Sequence, residues 1–137
     1  MNKKDITKNI SIAPISTTMS FGDMNFFKLW LEFLRPLHRL PNREMMVLAA
    51  LLKRRFELSR TIMDEETLDK VLFTNEVKKG IASSLEISSN NLQSVLTNLR
   101  KVGIITNNTI NKRFIPSMDI DADNYKLILH FKINHDK

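Results

Sequence analysis

Two apolar stripes of helical spacing, separated by a short polar joint, dominate residues 75–103. Val77, Ile81, Ala82 and Leu85 recur at three- and four-residue intervals, and so do Leu92, Val95, Leu96, Leu99 and Val102. Each set forms one face of a short amphipathic helix. Between them Leu85, Glu86 and Ile87 lead into Ser88-Ser89-Asn90-Asn91, a run of residues that cap helix N-termini. Gly103 stands where a helix end takes a left-handed residue, just after Arg100 and Lys101, whose charges suit the negative end of the helix dipole. Two such helices on so short a joint pack against each other at a steep angle.

The rest of the chain arranges itself around this pair. Residues 1–22 are polar with scattered Ile6, Ile10, Ile12 and Ile15, and are expected to form an arm that is floppy or docks on the body. From Phe21 to Leu34 the pattern is apolar almost all round: Phe26, Phe27, Leu29, Trp30, Leu31, Phe33 and Leu34, with Asp23 as a cap. Such a helix is either core or one half of a homodimer seam. Pro36 is expected to end it, and Pro41 to open a longer helix over 41–58 with the stripe Met45, Leu48, Ala49, Leu52 and Phe56. Lys53, Arg54 and Arg55 near its end complement the dipole, or touch phosphate. Asp64 caps a short helix carrying Leu68, Val71 and Leu72. After Gly103, Ile104-Ile105 reads as a short strand, and Tyr125 to Ile133 alternates apolar and polar as a returning strand. Ile104–Thr106 is expected to pair antiparallel with Lys126–Ile133, with part of Thr109–Ile115 as a third piece.

The predicted fold class is therefore mainly α with a C-terminal β-hairpin, an α+β protein. In order, the elements are helix, acidic helix, helix, turn, helix, strand, loop and strand. This order resembles the winged helix-turn-helix superfamily over residues 41–133, after an arm at 1–22 and an aromatic helical extension at 23–40. The resemblance is carried by LEIS at 85–88, SNNLQSVLTNLRKVGII at 89–105 and YKLILHF at 125–131. It implies a double-stranded DNA-binding protein that reads DNA with helix 89–102 and a wing. The implied role is that of a bacterial or bacteriophage transcription regulator, or of a replication or packaging accessory factor. Ser89, Asn90, Gln93, Ser94, Thr97 and Asn98 carry groups able to bond base edges. Lys78, Lys79, Arg100, Lys101, Lys112 and Arg113 would hold phosphates. Two departures stand out: the helix has no basic residue before Arg100, and Asp119, Asp121 and Asp123 would repel phosphate at a wing tip.

A net charge of +6 and a pI near 9.7 favour a polyanionic partner. Without cysteine there is no disulfide and no thiolate zinc site. The longest apolar run, Met45 to Leu52, falls far short of a membrane span, and charged and polar residues from Lys3 to Asn9 break up any signal-peptide core. A cytoplasmic location, in a bacterium or an infected host cell, is expected. Nothing points to an enzyme, a cofactor, a metal or a small-molecule substrate. His38, His130 and His135 are far apart, no glycine-rich phosphate loop is present, and Asp119, Asp121 and Asp123 lack the central glycine and closing glutamate of a calcium loop. The alternative to DNA binding is a structural or adaptor role, such as a phage particle component. That role would use the winged helix and the aromatic 21–34 segment for protein contacts, residues 23–34 being also the candidate homodimer surface.

Overall fold

A run of six consecutive buried residues, Val47 to Leu52, marks the helix about which the others pack. No surface helix buries its whole circumference, so this one is wrapped. It is α3 (Asn42–Ser59), in a computed structural model that describes residues 24–117 and 132–135. The arm at 1–22, the Asp23 cap and the strand residues 125–131 lie outside the described residues, as do Asp119, Asp121, Asp123 and His130.

Before α3 come α1 (Met24–Phe33) and α2 (Arg35–His38); after it come α4 (Glu65–Leu72), α5 (Asn75–Ser84) and α6 (Ser89–Lys101). A small antiparallel hairpin follows, β1 (Ile105–Thr106) with β2 (Thr109–Ile110), and then a 3-10 turn at Lys112–Phe114. The described part of the chain is thus mainly helical with one small hairpin, an α+β arrangement. None of its helices is long and apolar enough to cross a membrane.

Helices α1, α4, α5 and α6 all contact α3. Phe27 and Leu31 of α1, Leu72 of α4, Ile81 of α5, Leu96 and Leu99 of α6, and Ile105, Ile110 and Phe114 share one core with it. The aromatic helix therefore has a core face. Trp30 adds a polar tie to that face, its Nε1–H donating to the Phe114 carbonyl at 2.9 Å. Its other side leaves Leu29, Phe33 and, beyond the helix end, Leu37 exposed.

The break after α1 falls at Leu34, so Pro36 does not end the first helix. It sits in the first turn of α2, where its missing N–H costs no hydrogen bond. Arg35 ties this corner together, donating to the Glu32 carboxylate at 2.7 Å, the Leu40 carbonyl at 3.2 Å and Asn42 Oδ1 at 3.0 Å. His38 is buried beneath it. The Leu40 amide donates to His38 Nδ1, so Nε2 carries the hydrogen and donates to the Leu31 carbonyl at 2.8 Å.

Thr109-Ile110, part of the expected third piece, pairs with β1, and most of the partner expected at 126–133 lies outside the described residues. Residues 104–106 find their partner at once, with Ile105 opposite Ile110 and Thr106 opposite Thr109. The chain reverses at Asn107 and Asn108, whose φ of 52° and 57° are both left-handed. That is the type I′ geometry that matches the twist of paired strands, and asparagine is one of the few non-glycine residues that tolerates it. At the far end of the expected returning strand, Lys132 and Ile133 are exposed and outside any strand.

Candidate nucleic-acid interface

Helix α6 is positioned from both ends by its own sequence. Ser88 caps its N-terminus, the hydroxyl accepting from the Asn91 amide at 3.0 Å. At the C-terminus, Ile104 N–H donates to the Leu99 carbonyl at 3.0 Å and Gly103 N–H to that of Arg100 at 3.1 Å. Gly103 has φ 81° there, the left-handed cap expected from the sequence. Leu92, Val95, Leu96 and Leu99 are buried, which fixes the rotation of the helix about its axis.

At roughly 100° per residue, the side opposite that stripe is Asn90, Ser94, Thr97 and Lys101, and all four are exposed. Ser89, Gln93 and Arg100 flank it on one side, Asn91 and Asn98 on the other; Arg100 is half-buried and the rest are exposed. The structure thus brings together every α6 residue proposed from sequence. Thr97 spends its hydroxyl hydrogen on the Gln93 carbonyl at 2.9 Å, so outward it offers only acceptor lone pairs. Asn98 Nδ2 donates to Glu44 Oε1, at the start of α3, at 3.3 Å. Sequence reading missed Asn91, which belongs to the same amide row. It also missed Glu44, whose approach is a tertiary contact with no local signature.

The joint before α6 holds Leu85 to Ser88. Ile87 N–H donates to the Ala82 carbonyl at 3.0 Å and Glu86 N–H to that of Ser83 at 3.1 Å, with Glu86 at φ 56°. On α5, Lys78 is half-buried and Lys79 exposed, and neither lines the open groove between α3, α4 and α5.

Lys112 and Arg113 lie beyond the β1–β2 hairpin. The hairpin closes at Asn107 and Asn108, so both residues fall past it, in the 3-10 turn that Asn111 caps through its Oδ1. Lys112 lines a cleft of about 450 Å³ with Phe27, Arg55, Phe56 and Glu65, beside the C-terminal half of α3. The two basic residues therefore do not crown the hairpin tip; two asparagines do.

The charges divide along the chain. Among the described residues, every ion pair lies between residues 32 and 70: Arg35 with Glu32, Lys53 and Arg54 with Glu57, Arg55 with Asp69, and Lys70 with Glu66. The cluster at 53–55 is thus engaged with carboxylates of its own body. Residues 75–117 carry six basic side chains against two acidic ones, Glu76 and Glu86, a net +4. None of those six is in an ion pair among the described residues.

The chain matches no family model, no curated protein and no solved structure.

Proposed function

We propose that this protein binds double-stranded DNA as a winged helix-turn-helix, with α6 in the major groove and the β1–β2 hairpin as a minimal wing. The observation that carries the reading is the outward side of α6. It is a continuous row of amides, hydroxyls and one lysine, exposed on a helix capped at both ends, with cations on α5 and at its own C-terminus that form no ion pair among the described residues. A carboxamide can bond adenine bidentately, and unpaired lysines are the groups that displace counterions from phosphate. A regulator, or a replication or packaging accessory factor, is the role such binding serves.

The test is a titration of random-sequence duplex DNA at two salt concentrations. Binding that weakens steeply with salt is expected. In Lys78→Ala/Lys79→Ala/Lys101→Ala it should weaken on all sequences, and the log–log salt slope should shrink by about one for each lysine that contacts phosphate. A slope unchanged in that variant removes these lysines from the interface, and no retention of duplex at low salt overturns the reading.

A structural or adaptor role is the second reading, favoured by the exposure of Leu29, Phe33 and Leu37 at 39%, 47% and 61%. These residues stand four apart, and such a row suits a second copy of the chain or another protein. A size measurement in solution on Phe33→Ser separates a homodimer through this row from a monomer.

A further inference from the structure

We infer that Glu44 is a positioning residue that sets the orientation of the Asn98 carboxamide and so makes Asn98 an adenine reader. The inference rests on the DNA-binding reading of α6 and deepens it. An asparagine side chain ends in one carbonyl and one NH2, and in solvent it presents either. A carboxylate only accepts hydrogen bonds. With Glu44 Oε1 at 3.3 Å from Asn98 Nδ2, the flipped amide would set its carbonyl oxygen against a carboxylate oxygen. The pair therefore has one orientation. One N–H is consumed by Glu44, and the second N–H and Oδ1 remain for a partner. The major-groove edge of adenine offers N7 as acceptor and N6–H as donor, the complement of that remaining pair. Guanine offers two acceptors there and would face Oδ1 with O6, a repulsion the locked amide cannot relieve by turning over.

The position of Asn98 on the helix suits the task. It lies four residues after Ser94 and three before Lys101, so it borders the outward row and is exposed. Glu44 is held from behind, because α3 is fixed in the core through Met45, Val47 and Leu48. The carboxylate thus reaches α6 from a fixed helix, across 54 residues of sequence. A surface hydrogen bond that merely braced α6 on α3 would affect stability and leave base preference unchanged.

The experiment selects bound sequences from a pool of random duplex DNA with the full chain, in the wild type and in Asn98→Ala, Glu44→Ala and Glu44→Gln. The Glu44→Gln side chain keeps a carbonyl able to accept from Nδ2, so this variant serves as the conservative rescue. The wild type is expected to prefer adenine at one position by about tenfold. That preference should vanish in Asn98→Ala, fall to threefold or less in Glu44→Ala, and recover at least partly in Glu44→Gln. Thermal unfolding of each variant checks that it folds. A wild type with no adenine position sensitive to Asn98→Ala overturns the inference and leaves DNA binding standing. Unchanged preference in folded Glu44→Ala also overturns it. If the wild type retains no duplex from the pool, the DNA-binding reading itself fails.

Discussion

Glu86 and Gly103 occupy the same structural position at the ends of consecutive helices. Each is the left-handed residue just past a helix C-terminus, and each is followed by an isoleucine whose N–H closes back onto the last turn. Only one of them is the residue that geometry favours. A side chain in the left-handed region costs roughly 1–2 kcal/mol because Cβ crowds the following carbonyl, and glycine avoids this. Glu86→Gly is therefore expected to stabilise the protein by about 0.5–1 kcal/mol, part of the gain being lost to the freer unfolded chain. Gly103→Ala is expected to destabilise it by about 1 kcal/mol. Beyond Gly103 and its two chain neighbours no atom lies within 4 Å of a Cβ built there, so that cost arises within the local backbone and not from packing. Urea midpoints at constant m-value measure both changes; equal signs in the two variants would contradict the common geometry. At this scale the sequence was informative. Asp64, accepting from the Thr67 amide at 3.1 Å, and Ser88 and Gly103 behave as their residue types require, because a cap is decided within four residues of chain.

Among whole elements, legibility depended on length. Helices α3 and α6 announce themselves through several turns of apolar periodicity. Two-residue strands have no period to read, so the hairpin was legible only in its turn. Asn107-Asn108 signals a type I′ reversal, which joins β1 to the part of Thr109–Ile115 expected only as a third piece. Because the hairpin closes at Asn107 and Asn108, Lys112 and Arg113 fall past it in the 3-10 turn, which their charge alone does not reveal. The same hairpin supplies a prediction. Glycine tolerates the second left-handed position better than asparagine, so Asn108→Gly should stabilise the protein by a few tenths of a kcal/mol up to about 1. The turn after the hairpin depends instead on α1. Trp30→Phe keeps an aromatic ring but leaves the Phe114 carbonyl without its 2.9 Å donor, in a partly buried place. The expected cost is about 1–2 kcal/mol, read from the denaturation midpoint. A neutral outcome would mean that water replaces the indole there.

At the scale of the whole molecule, the two carboxylates whose pKa is lowered lie apart from the groups proposed to touch DNA. Hydrogen bonding to Arg35 lowers the pKa of Glu32, and hydrogen bonding to the Thr67 side chain and backbone lowers that of Asp64. A carboxylate whose pKa is lower in the folded state stabilises the fold at any pH above its unfolded value. That contribution disappears as pH falls through the folded value. Both groups belong to the body, Glu32 at the α1–α2 corner and Asp64 at the start of α4, and both are solvent-exposed, so added salt weakens the effect. These two carboxylates should therefore contribute a decline in melting temperature below about pH 4. Glu32→Gln and Asp64→Asn should each flatten that decline. The outward row of α6 contains asparagine, serine, threonine and lysine, and no histidine. If that row and the lysines of α5 form the DNA surface, duplex affinity at fixed salt should stay constant between about pH 5 and 8. A midpoint near pH 6.5 in the binding curve would instead implicate a histidine, and no histidine lies on α5 or α6. That result would move the interface away from α6.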